Sequence, residues 1–224
     1  MAVGYNPRTV TDGLVIALDA GNTKSYPGSG TTWKNIATEG PFGDATLKAG
    51  GSLSTYSSNN GGYFSSPRAF LPNPGSSPFT TFTYSVWCRT SSLASYQSMI
   101  DQGNDNFLFT VWNNQLRIYD PDPTVPTSNF TAVVDTWYNL VATHTHTDPV
   151  VFYVDGELVY TSPLSYSTSH TFANWSFGAG GVDSSGNGDS EVWDGFISSI
   201  SIYNRSLTAA EVKQNYDAHK GRYA

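Results

Sequence analysis

The chain has 224 residues, of which 18 are acidic and 11 basic, for a formal charge of −7, and only 13% are charged. That balance argues against a nucleic-acid or anionic-membrane partner, because both need concentrated Lys and Arg. With 14% aromatic residues, 21 Gly and 12 Pro, the composition excludes disorder and reads as one all-β domain with a sizeable core.

Residues 1–12 carry no pattern that would bury them. Pro7 favours an extended conformation there, so the segment is expected to be an N-terminal arm preceding a domain over 13–224. It holds no basic-then-apolar secretion signal, and no apolar run in the chain approaches the ~20 residues that cross a bilayer. The single cysteine, Cys88, excludes an internal disulfide. The first strand is expected at 14–18, an apolar run closed by Asp19-Ala20-Gly21-Asn22. A Gly/Ser/Thr-rich loop over 22–32 leads to Trp33, and a short strand is expected around Tyr63 and Phe64.

Residues 82–89 alternate at period two, the pattern of a strand with one face buried and one wet. Strands are expected at 98–102, 107–112 and 116–119, with Asn113-Asn114 as the turn between the last two. Pro121, Pro123 and Pro126 assign 120–127 to a surface loop. Residues 137–145 and 150–154 form a hairpin, and Asp155-Gly156 turns the chain into a second one at 157–161. The last strands are expected at 174–178 and 196–203, flanking a Gly-rich loop over 180–188. One helix is well signalled: Thr208-Ala209-Ala210-Glu211 is a capping box, and Leu207 and Val212 form a hydrophobic staple. Val212, Tyr216 and His219 share a face, and Gly221 stops the helix.

These elements add up to an antiparallel β-sandwich of jelly-roll type with a short C-terminal helix. Three segments carry a resemblance: Phe82 to Trp87, the pair Trp137 to Ala142 and Val151 to Val159, and Gly195 to Leu207. On them the chain resembles the laminin-G-like branch of the concanavalin A-like lectin/glucanase superfamily. The opening Asp12 to Asn22, with Ser25 to Trp33, is similar to laminin-G-type accessory structural proteins of tailed bacteriophages. The resemblance implies a non-catalytic binding or adhesion module, such as a capsid decoration or knob protein. It would be made in a host cytoplasm and carried on the virion. Its partners would be a virion structural protein, a surface glycan or a second copy of the chain in a homo-oligomer. The arm, or the sandwich edge beside it, is the expected docking element, by strand addition. A stand-alone lectin and a glucanase-type hydrolase are the alternatives.

Candidate chemistry is weighed residue by residue. Glucanases of this superfamily bring two Glu and an Asp together on one strand. Here the only four Glu, at 39, 157, 191 and 211, are scattered, so no catalysis is expected. His144 and His146 alternate on a strand, but no third zinc ligand is evident. Asp183, Asn187, Asp189 and Asp194 space oxygen ligands through the Gly-rich loop, a pattern suited to calcium, or to a polar hairpin loop. Laminin-G domains often carry calcium at the sheet rim. Sugar platforms would be exposed aromatics, and the candidates are Trp112, Tyr119, Trp175 and Trp193. Packing in the core is the competing role for each.

Overall fold

The computed structural model describes residues 7–50, 52–72, 80–93, 96–102, 108–119, 126–165, 174–180 and 191–223. In chain order the strands are β1 (Leu14–Asp19), β2 (Thr32–Trp33), β3 (Ala45–Leu47), β4 (Ala49–Gly50), β5 (Ser52–Leu53), β6 (Thr55–Ser57), β7 (Tyr63–Ser65), β8 (Ala69–Pro72) and β9 (Phe82–Thr90). They continue with β10 (Gln97–Gln102), β11 (Leu108–Trp112), β12 (Gln115–Tyr119), β13 (Thr127–Thr131), β14 (Trp137–His144), β15 (Pro149–Val154), β16 (Glu157–Ser165), β17 (Asn174–Phe177) and β18 (Gly195–Tyr203). Helix α1 (Ala209–His219) follows.

Two antiparallel sheets make the sandwich. The first runs β16-β15-β14-β9-β18-β7-β6, with β1 also paired to β18; the second runs β13-β12-β11-β10-β17-β8-β3-β2. Period-two alternation sends one side chain in two into the space between them. From the first sheet these are Phe82, Tyr84, Val86 and Cys88 of β9, Leu140 and Ala142 of β14, and Ile200 and Ile202 of β18. The second sheet supplies Met99, Phe109, Val111, Leu116, Ile118, Trp175 and Phe177 to the same cluster. The turns are the ones the sequence demands. Asn113 and Asn114 both take positive φ, 47° and 66°, between β11 and β12. That is the signature of a tight hairpin turn.

Burial of β9 departs from the alternation-based expectation of one wet face. Eight of its nine residues are buried, because α1 and the segment leading to it cover the outer side of the first sheet. The Thr83 hydroxyl donates to the Arg205 carbonyl and accepts from the Leu207 amide. Leu207 and Val212 pack with Leu14, Val141, Tyr153 and Tyr203 into a second apolar cluster on that side. The helix begins as the capping box requires: Thr208 Oγ1 accepts from the Glu211 amide while the Glu211 carboxylate accepts from the Thr208 amide. Gly156, at φ 80°, lets the β15–β16 hairpin pass under the helix. A Cβ there would lie 2.9 Å from Lys213 Cδ and 3.0 Å from Tyr216 Cβ.

The described part of the arm, residues 7–12, lies against helix α1 and β18. The Val10 amide donates to Asn215 Oδ1 at 2.8 Å, and the Val10 carbonyl accepts from the Tyr203 hydroxyl at 2.9 Å. Thr9 Oγ1 lies 2.8 Å from His219 Nε2, and Val10 packs on the second apolar cluster. Contacts of this kind, to helix α1 and to Tyr203 of β18, carry no periodic signal in the sequence. The two histidines also part company. His144 is buried against Phe82, with ring centroids 5.3 Å apart, whereas His146 lies exposed beyond the strand end.

Candidate functional site

The outer face of the second sheet carries the strongest site geometry. Register places Trp112 opposite Gln115 and Thr110 opposite Arg117 across the β11–β12 hairpin, with Tyr119 opposite Leu108. Because Leu116 and Ile118 point into the core, Gln115, Arg117 and Tyr119 point out. Trp112 is therefore the diagonal neighbour of Arg117, within reach of a long side chain. Tyr96, just before β10, stacks on Trp112 with centroids 4.9 Å apart and planes 18° apart. The Arg117 guanidinium carbon lies 4.2 Å from the Trp112 ring centre and 5.9 Å from that of Tyr96. The two rings stay half-buried, while Arg117 is only 7% exposed. Towards the middle of the sheet the outward side chains Asp101, Leu108 and Ser176 are buried. Among the described residues of this face, the accessible aromatic surface is thus concentrated at the β11–β12 end.

Of the four aromatics expected as platforms, Trp112 and Tyr119 lie half-buried on this face. Trp175 and Trp193 do not: each is 1% exposed. Trp175 points inward and meets Phe42 and Tyr84 edge-on, at 5.9 and 6.0 Å. Trp193 is locked in the core and its indole N–H donates to the Phe196 carbonyl. Both corrections have the same cause: proximity to a Gly-rich loop in sequence says nothing about which way the ring turns. Asp194 is exposed, and its backbone is engaged, accepting from Ser91 and donating to Gln97 Oε1. The other expected calcium ligands, Asp183, Asn187 and Asp189, lie outside the described residues. Among the described residues no three His, Cys, Asp or Glu side chains cluster. Tyr96 and Arg117 escaped the sequence reading. The alternation Gln115, Arg117, Tyr119 against Leu116 and Ile118 was the available signal for Arg117.

The outer face of the first sheet is built differently. Trp87 stacks on Tyr223 at 4.1 Å and on Tyr216 at 5.6 Å. Arg222 makes a two-nitrogen contact with Asp19 at 2.9 and 2.7 Å, and Arg205 another with Glu211 at 3.1 and 2.6 Å. The Arg205 partner and the capping bonds hold the Glu211 carboxyl down at about 2. Beneath helix and arm lies a cavity of about 230 Å³ lined by Ser85, Trp87, Asn139, Ser201, Asn215 and His219. Burial pushes His219 below the usual histidine range. It also pushes the Cys88 thiol well up, so that cysteine is a packing residue without thiolate character.

A family model described as the concanavalin A-like lectin/glucanases superfamily matches residues 57–213. The chain belongs to that superfamily. No curated protein matches it. Among solved structures it is similar to domain 4 of the arabinanase AbnA from Geobacillus stearothermophilus, in complex with arabinotriose. That match has a TM-score of 0.66 and 15% identity over 92% of this chain and 100% of that one. It is also similar to part of the Trypanosoma rangeli sialidase, with a TM-score of 0.61 and 14% identity. The match covers 94% of this chain and 33% of the sialidase, so the chain spans about a third of that enzyme. Botulinum neurotoxin type C, described as dependent on interaction with two ganglioside molecules, matches at a TM-score of 0.60 and 13% identity. Coverage there is 93% and 52%. Likeness at these identities establishes the sandwich fold.

Proposed function

We propose that this superfamily member is a non-catalytic glycan-binding module whose ligand lies over the β11–β12 end of the second sheet. The observation that carries the proposal is the half-buried Tyr96–Trp112 stack with Tyr119 on the same face. Flat aromatic surfaces suit the C–H faces of a sugar ring, and rigid rings lose little entropy when a ligand settles on them. The arabinotriose complex of one similar structure and the ganglioside interaction of the protein containing another support the same reading. Hydrolysis is left out of the proposal because the four Glu are scattered and Glu211 is committed to its helix cap and Arg205. Release of reducing ends from a β-glucan, abolished by Glu191→Gln, would overturn that part.

The setting proposed for the module is a tailed-phage particle, as a decoration or knob protein that presents the face outward. Its support is the opening segment's likeness to such proteins, and its test is incorporation of the chain into particles. A rim calcium held by Asp183, Asn187, Asp189 and Asp194 is proposed with it. Millimolar calcium should raise the Tm of the wild type and not that of Asp189→Ala. The central test is titration with neutral and acidic oligosaccharides by calorimetry. Wild type should bind at least one member, and Trp112→Ala should weaken that binding about tenfold or more, which is about 1.4 kcal/mol. Binding unchanged in Trp112→Ala, or no binding to any member, would sink the proposal.

A further inference from the structure

We infer that the glycan recognised on the second sheet is acidic, and that Arg117 receives a carboxylate of the sugar. The inference rests on the glycan-binding reading and adds the chemical class. Arg117 is 7% exposed, yet its Nε and Nη1 are buried with no hydrogen-bond partner. A buried guanidinium is ordinarily paired, because removing an isolated charge from water is strongly unfavourable. Among the described residues no such pairing is made. The cross-strand neighbours are Thr110 on β11 and Thr127 on β13. The outward neighbours along the strand are Gln115 and Tyr119, and the nearest ring is Trp112. None of the five carries a negative charge. Among the described residues no carboxylate forms an ion pair with Arg117, whereas on the opposite side of the molecule Arg205 pairs with Asp12 and Glu211, and Arg222 with Asp19.

What Arg117 does touch is aromatic. The Trp112 and Tyr96 rings stabilise a cation through their π faces, but they leave the in-plane N–H groups unanswered. A guanidinium is planar, and its Nη2–H groups pair with either the Nε–H or the Nη1–H groups as a fork that matches the two oxygens of a carboxylate. The stack beside the fork supplies the apolar contact for the sugar ring to which that carboxylate is attached. A uronic or sialic acid unit presents both features together, a ring with C–H faces and a carboxylate at its edge. A neutral sugar would answer the rings and leave the fork empty.

The test pairs oligogalacturonate and a sialylated oligosaccharide with their carboxyl-reduced counterparts, titrated against wild type, Arg117→Met and Trp112→Ala. Wild type should bind at least one acidic member tenfold or more tighter than its reduced partner. Arg117→Met should bring that ratio close to one while keeping the weaker neutral binding, and Trp112→Ala should weaken both members. Thermal melting without ligand gives a second readout. Removing an unpaired buried cation should leave Arg117→Met as stable as wild type or more so. Equal binding of acidic and reduced sugars by wild type overturns the inference while the glycan reading stands. Failure of every sugar to bind overturns both. A marked fall in the Tm of Arg117→Met overturns the inference separately, since it would mean that the cation has a structural partner within the chain.

Discussion

The two outer faces of the sandwich solve the same problem in opposite ways. On the first sheet, helix α1 and residues 7–12 lie across the strands, and several charged groups are paired there, although Arg89 Nε on β9 is buried without a hydrogen-bond partner. Arg222 meets Asp19, Arg205 meets Glu211, and Trp87 sits between Tyr216 and Tyr223. On the second sheet no described helix lies across the strands, and Arg117 Nε and Nη1 are buried without a hydrogen-bond partner beside a half-buried aromatic stack. The difference teaches where to look for function in a sandwich of this kind. The covered face pairs most of its charges within the chain, and the uncovered face keeps polar and aromatic groups whose natural complement is a ligand.

The comparison can be broken most forcefully with tryptophans. Trp87, 5% exposed under the helix, should behave as a core residue. Trp87→Ala is expected to lose about 3–5 kcal/mol, lowering the Tm by roughly 6–20 °C for a chain of this size. Trp112→Ala on the other face should lose no more than about 1 kcal/mol, the scale of one aromatic contact. Equal Tm losses in the two variants, measured by calorimetry, would erase the distinction between the faces.

A smaller effect is expected where the helix meets the hairpin. Gly156→Ala forces an L side chain into φ 80° and pushes its Cβ against Lys213 and Tyr216. A loss of about 2 kcal/mol is expected, more than the stabilisation Gly→Ala gives at a compatible site. Glycan affinity should be unchanged. If affinity fell in step with stability, the helix side and the ligand side would be coupled.

Acid should act on the first face before the second. Glu211 titrates at about 2 in the folded protein, against an ordinary 4.5. Its folded value is depressed, so its stabilisation is present above pH 4.5 and is lost as pH falls from there towards 2. Solvent screening limits the loss to about 1–2 kcal/mol, and Glu211→Gln should remove that part of the pH dependence. His219 is also depressed, by burial. Its neutral form is stabilising above the ordinary histidine value, and that stability is lost as pH falls below it. A His219→Gln variant whose stability between pH 7 and pH 5 follows wild type would rule this out. The smallest effect is that of Trp112→Ala on stability itself.

Most of the fold was legible in the sequence, because period-two alternation and turn chemistry are local. Asn113-Asn114 and Asp155-Gly156 gave their hairpins, and Thr208 to Glu211 gave the helix start. Strand β13 was missed because Thr-Ser-Asn-Phe-Thr has no apolar alternation; Ser128 and Phe130 face inward there, and only Phe130 is apolar. Strand β9 was expected to have a wet side because the helix that covers it lies more than a hundred residues away in the chain. The site was less legible for a related reason. Whether a Trp faces ligand or core depends on register. Trp112 and Trp175 sit on neighbouring stretches of one sheet, yet only the paired partners of each strand decide that one turns out and the other in. Arg117 became visible only when its cross-strand neighbours, two threonines, could be seen to offer it no charge.

Both described ends of the chain lie on the helix side. The Arg8 carbonyl accepts from Gln214, Thr9 meets His219, and Tyr223 stacks on Trp87 and on Trp137. A tether joined at either end would therefore pull from the same side of the molecule, two sheets away from the Tyr96–Trp112 surface. Copies anchored in this way on a common support would all turn their aromatic faces outward. Weak single-site affinity for a repeating polysaccharide would then multiply through the effective concentration of neighbouring copies.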